Sequence, residues 1–115
     1  MNEQSPPFVT ADPDTIEQVD KGIKRQFLGY GPDLMAVKVW FEEGAIGYEH
    51  DHHHSQVTYV ESGEFEAMID GETQLLTAGD SFYVAPHKLH GAVCKKAGVL
   101  IDVFSPQRKD FLNGE

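Results

Sequence analysis

The sequence predicts an all-β fold in a single domain, either a barrel or a sandwich. Three observations lead there. Apolar and polar residues alternate over one short run after another, glycine-containing turn signals separate the runs, and no stretch carries a helical period long enough to span a domain. A length of 115 residues allows one core and not two.

Met1 to Pro7 is polar, ends in Pro6-Pro7 and reads as an extended arm, which is expected to reach residue 20. Within it, Asp12 to Asp20 suggests a short helical turn with Asp14 as its cap and Glu17 three residues on. Ile23 to Leu28 alternates, with Ile23, Arg25 and Phe27 on one face. Leu34 to Phe41 is rich in β-formers. Strands are then expected at Gln56–Glu61, Glu64–Ile69, Thr73–Thr77, Ser81–Ala85, Gly91–Lys95 and Val99–Phe104. The turn signals between them are Gly29 to Pro32, Glu43-Gly44, Ser62-Gly63, Asp70-Gly71, Gly79-Asp80 and Ala97-Gly98. Asp70-Gly71 between two alternating runs is a hairpin signal. Arg108 to Leu112 is amphipathic and suits one helical turn. The division expected is an arm at 1–20, a barrel domain at 21–112 and a tail at 113–115.

The strand at 99–104 carries Val99, Ile101 and Val103 on one face and Leu100, Asp102 and Phe104 on the other. Both faces are largely apolar, so both should be covered. In so small a chain a second copy is the expected cover, which makes a homodimer.

Charge narrows the partners. Nineteen acidic and nine basic residues leave a formal net charge of −10, the wrong sign for binding nucleic acid. For an anionic small molecule, the site itself must supply positive charge, as a metal ion and a buried arginine would. No stretch approaches the apolar length of a membrane span. Met1 is followed by Asn2, Glu3 and Gln4, so no signal peptide is expected. The single cysteine, Cys94, excludes an intrachain disulfide and reads as a small core residue. A cytoplasmic protein is expected.

Four of the six histidines lie in His50-Asp51-His52-His53-His54. Taken alone, such a run is also what a solvated loop looks like. If it is a strand, residues two apart share a side, so His50 and His52 can bind one ion while His53 points away. Gln56 has the same parity, and its carbonyl oxygen offers a third ligand. His53, His54 and His87 are read as surface or supporting residues.

The glycines around the cluster decide its meaning. Gly44, five residues, His50, one residue, His52, three residues, Gln56, six residues, Gly63 resembles the first motif of the cupin superfamily, with Gln56 where most members carry Glu. Gly79 to His90 resembles the second, with Ala85, His87 and Cys94 replacing the usual proline, glycine and asparagine. The resemblance implies a double-stranded β-helix, or jelly-roll barrel, holding one divalent metal ion through His50, His52, Gln56 and His90. Four neutral ligands leave the ion its full charge, a stronger anchor for an anion in a weaker cage. They do not choose sharply among Ni, Zn, Mn, Co and Fe.

Asp102 interrupts an apolar strand, which is costly unless it is paired or used. It is either one half of a salt bridge, with Arg25 or Arg108 as partner, or a general acid/base facing the barrel interior. Together with the motifs, Tyr59-Val60, Gly63 to Glu66, Ala78 to Ser81, His90-Gly91, and Asp102 to Pro106 with Arg108, Asp110 and Phe111 resemble the KdgF family. Those are small cupins of pectin and alginate breakdown that ketonise 4,5-unsaturated uronates. The resemblance implies functional roles for Asp102, Phe104 and Arg108, and a small unsaturated uronate as substrate. Readings left open beside it are another cupin enzyme (a dioxygenase or a sugar isomerase) and a non-catalytic sugar-binding cupin.

Overall fold

The computed structural model describes residues 3–113. A 3₁₀ turn at Pro13–Thr15 leads into β1 (Glu17–Asp20), β2 (Ile23–Gly31), β3 (Leu34–Phe41), β4 (Ile46–His50), β5 (Ser55–Ile69), β6 (Glu72–Thr77), β7 (Ser81–Val84) and β8 (His90–Ser105), and a short helix α1 (Lys109–Asn113) follows. All pairings are antiparallel, in the order β1-β2-β3-β8-β5-β6, with β4 on β8 and β7 on β5. Among the described residues, no helix is long and apolar enough to cross a membrane.

Two long strands organise the barrel. β5 and β8 pair along their whole length, from Ser55↔Ser105 to Ile69↔His90. The first half of β5 also pairs with β7, and its second half with β6. β8 likewise pairs with β4 in its first half and with β3 in its second. Each long strand therefore passes from one layer to the other. The change of layer falls at Ser62-Gly63 and Ala97-Gly98, where the register shifts. The sequence reading took these dipeptides for turns that end strands, whereas they are bulges inside continuous strands. Both positions need glycine. Gly63 has φ +83°, and a Cβ on it would stand 2.6 Å from Gly98 Cα. A Cβ on Gly98 would collide with Ser62 O. Asp70 and Gly71, with φ of 50° and 85°, form the expected tight hairpin between β5 and β6.

The core lies between the layers. Met35, Val37, Val39 and Phe41 of β3 face Val60 and Phe65 of β5 and Cys94, Leu100 and Phe104 of β8. Phe41 and Phe65 meet edge to face at 5.2 Å. The buried Cys94 is part of this core.

The segment read as an arm is built into the sheet. Glu17–Asp20 is a strand, with Glu17 opposite Arg25. Its residues are all exposed, so no apolar alternation marked it. The cap of the preceding turn is Asp12, whose Oδ1 accepts from Asp14 N, and not Asp14. Ser5 N donates to Tyr30 O, and Gln107 Nε2 donates to Glu3 O and Gly31 O. Of the expected tail, residues 114–115 lie outside the described residues.

Candidate metal centre

His50 closes β4, His90 opens β8 directly opposite it, and Gln56 is the second residue of β5. One nitrogen from each of His50, His52 and His90 lies within 4.8 Å of the others. Gln56 Oε1 stands 3.0 Å from His52 Nε2 and 3.1 Å from His90 Nε2. The structure thus brings together all four residues expected as ligands. Strand parity is not the reason, because residues 51–54 form no strand. A loop turns His52 back toward His50. It is tied down by His87 N, which donates to His52 O at 2.7 Å. His87 has φ 66°, a left-handed conformation that accounts for glycine being usual there.

The donor set fits a cation. The Nδ1 atoms of His50, His52 and His90 lie 2.9, 3.0 and 2.8 Å from the carbonyls of Tyr48, His54 and Lys88. A carbonyl only accepts, so each Nδ1 carries the hydrogen and each Nε2 keeps a lone pair. Two of those lone pairs and the Gln56 carbonyl converge with no hydrogen between them, an arrangement that a positive ion relieves. Burial first, and then the charge of Arg108 among smaller effects, holds His52 below the ordinary histidine range. Burial takes His90 down to about 4. Neutral imidazoles are the form that ligates.

Asp102 sits beside this cup. It faces inward from β8, opposite Thr58 of β5 and Val37 of β3. Thr58 Oγ1 donates to Asp102 Oδ1 at 2.5 Å and accepts from Gln56 Nε2 at 2.8 Å. Burial raises the carboxyl from 3.8 to about 6, against the opposing hydrogen bond from Thr58 and the charge of Arg108. The salt-bridge reading of Asp102 does not hold. Arg25 pairs with Glu17 and Arg108 with Asp110, each at 2.8 Å.

Arg108 is buried, with its guanidinium 5.0 Å from the Phe104 ring and 4.2 Å from that of Phe111. Its Nε and Nη2 donate to the two oxygens of Asp110 at 3.0 and 2.8 Å. The guanidinium edge that pairs two-fold with a carboxylate is therefore already engaged, and among the described residues Nη1 is the nitrogen left over. Burial pushes Asp110 up, but Arg108's hydrogen bonds and charge outweigh it and hold the carboxyl low. Phe104 lies opposite Gln56 on the neighbouring strand, with its ring 5.8 Å from that of His52.

Three more residues contribute: Thr58, which the sequence reading did not single out, Asp110, named there only within the resemblance, and His54, read there as a surface or supporting residue. Thr58 connects Gln56 to Asp102, and its parity with Gln56 was an available signal. Asp110 engages Arg108. His54 is buried, with Nε2 3.1 Å from Gln107 O, while His53 is exposed as expected.

Comparison with known proteins places the chain. The cupin domain model matches residues 37–104. The chain belongs to the cupin family. Within that family it is similar to the pectin degradation protein KdgF of Dickeya dadantii (strain 3937), with 46% identity over 98 residues, 84% of this chain and 89% of that protein. A solved RmlC-like cupin from Shewanella frigidimarina NCIMB 400 is 55% identical at a TM-score of 0.93, covering 96% of this chain and 99% of that one. The structure of KdgF from a Halomonas species is 39% identical at a TM-score of 0.88, covering 93% and 99%.

Proposed function

We propose that this protein acts in pectin or alginate breakdown, converting 4,5-unsaturated uronate monosaccharides to the linear 5-keto-4-deoxyuronate. The observation that supports the reading is a cluster of His50, His52, His90 and Gln56 suited to a metal ion, beside an inward-facing carboxyl, Asp102, in a chain 46% identical to a KdgF.

The reaction suits these groups. The substrate ring is a hemiacetal at C1 and an enol ether at C5. Removal of the proton on O1 forms the C1=O1 bond and breaks C1–O5, leaving an enolate across O5, C5 and C4. A proton delivered to C4 then completes the C5 ketone, so the overall change moves one proton from O1 to C4, without oxidation. Asp102 takes the first proton and delivers the second; burial raises its carboxyl above the ordinary carboxylate range, in the direction that suits a group which both accepts and donates a proton. His50, His52, Gln56 and His90 would hold one divalent ion, which when bound would supply positive charge beside the substrate's oxygens. Arg108, fixed by Asp110, offers Nη1 to the C6 carboxylate. Phe104 packs against the sugar.

A homodimer is part of the proposal. The outer face of β3, β8, β5 and β7 aligns Val57 with Val103 and Tyr83, and Tyr59 with Ile101. Val57, Tyr59 and Tyr83 are 45%, 47% and 60% exposed, an apolar patch that a second copy would cover.

The test is to follow the ultraviolet absorbance of the conjugated C4=C5–carboxylate with metal-loaded protein and without protein. Loss faster than the spontaneous rate, without oxygen uptake, is the expected result. Decay at the spontaneous rate removes the function, and oxygen consumption on turnover points to a dioxygenase.

A further inference from the structure

The Gln56 amide has two ends of similar shape and opposite chemistry, and only the oxygen can ligate a cation. Nothing at the histidines selects that end. The lone pairs of His52 Nε2 and His90 Nε2 would be better met by the amide N–H groups, so without an ion they favour the reversed orientation. The selection comes from the other side. Asp102 Oδ1 is an acceptor, and Thr58 Oγ1 donates its one hydrogen to it. With that hydrogen committed, Thr58 can only accept from Gln56, and it does so from Nε2 at 2.8 Å. Asp102 Oδ1, 3.5 Å from the same Nε2, favours the same end. The carbonyl oxygen is left facing the histidines. Thr58 is wholly buried, so no water substitutes for its hydroxyl.

We propose that Thr58 is a positioning residue that makes Gln56 an oxygen ligand and ties that ligand to Asp102. This rests on the metal-cup reading and not on the uronate reaction. It also gives a reason for the hydroxyl to accompany glutamine in particular. A glutamate ligand presents oxygen whichever way it turns and needs no such selector.

The test measures Zn²⁺ affinity by competition with a chromophoric chelator, using full-length protein first stripped of metal. Thr58→Val keeps the shape and removes the hydroxyl. It should weaken binding by roughly 10–100-fold, the usual effect of losing a partner of a metal ligand. Thr58→Ser should bind nearly as wild type. In a Gln56→Glu background the loss caused by Thr58→Val should largely disappear, which a purely structural role for Thr58 would not produce. Should the valine variant fail to fold, Thr58→Ala makes the same comparison. Wild-type affinity in Thr58→Val overturns the proposal. So does equal weakening in the serine variant, or an undiminished loss in the Gln56→Glu background. A wild type that binds Zn²⁺ but does not accelerate uronate decay removes the proposed function and leaves this result standing.

Discussion

Replacing Asp102 by asparagine should make the metal-free protein more stable and the loaded enzyme much slower. Asparagine keeps the shape and the acceptor oxygen that Thr58 uses, and removes the charge. Burial raises the Asp102 carboxyl from 3.8 to about 6. Between those values the folded protein holds a proton that the unfolded chain has lost, so stability falls as pH rises. The penalty is absent below about pH 4, grows to about pH 6 and is complete above it, where it reaches about 3 kcal/mol at roughly 1.4 kcal/mol per pKa unit. The urea midpoints of the stripped wild type and Asp102→Asn should therefore coincide near pH 4 and separate by on the order of 1 M at pH 8, the variant being higher. Comparing the two proteins cancels every other titrating group. Added metal should narrow the gap, because the ion's charge favours the carboxylate. In the loaded enzyme the same substitution should slow uronate turnover by roughly 10²–10⁴-fold, the usual worth of a general acid/base. A variant no more stable than wild type at pH 8, or a difference independent of pH, would refute the buried-charge argument. Wild-type turnover would refute the catalytic role.

Other perturbations test the remaining parts. His50→Ala and His90→Ala should lose bound metal by elemental analysis while His53→Ala retains it, since residue 53 is exposed outside the cup; equal loss from all three would break the ligand assignment. Arg108→Lys keeps the charge but cannot reproduce the two-bond pairing with Asp110. It should reduce kcat/KM by about 10–100-fold, on the scale of one hydrogen bond to a charged group, and unchanged kinetics would remove Arg108 from the site. Sedimentation should give about twice the chain's mass if the face around Val57, Tyr59 and Tyr83 is covered by a second copy. A monomer at micromolar concentration would leave that face for another use.

The sequence by itself determined the all-β class, the Asp70-Gly71 hairpin and the residues that form the cup. These depend on local signals: alternation, a dipeptide that tolerates positive φ, and fixed spacing between chemical groups. Tertiary structure decided the rest, because the deciding contacts lie far apart in the chain. A glycine with positive φ looks alike in a turn and in a bulge. Only the pairing of β5 with β8 shows that Gly63 and Gly98 oppose each other and let both strands bend without ending. The solvated strand β1 shows no apolar alternation and is recognised only by its partner β2. His52 is brought beside His50 by a folded loop held by His87, where the sequence reading expected a strand. Last, the partner of Asp102 was decided by proximity in space: burial beside β5 paired it with Thr58, 44 residues away.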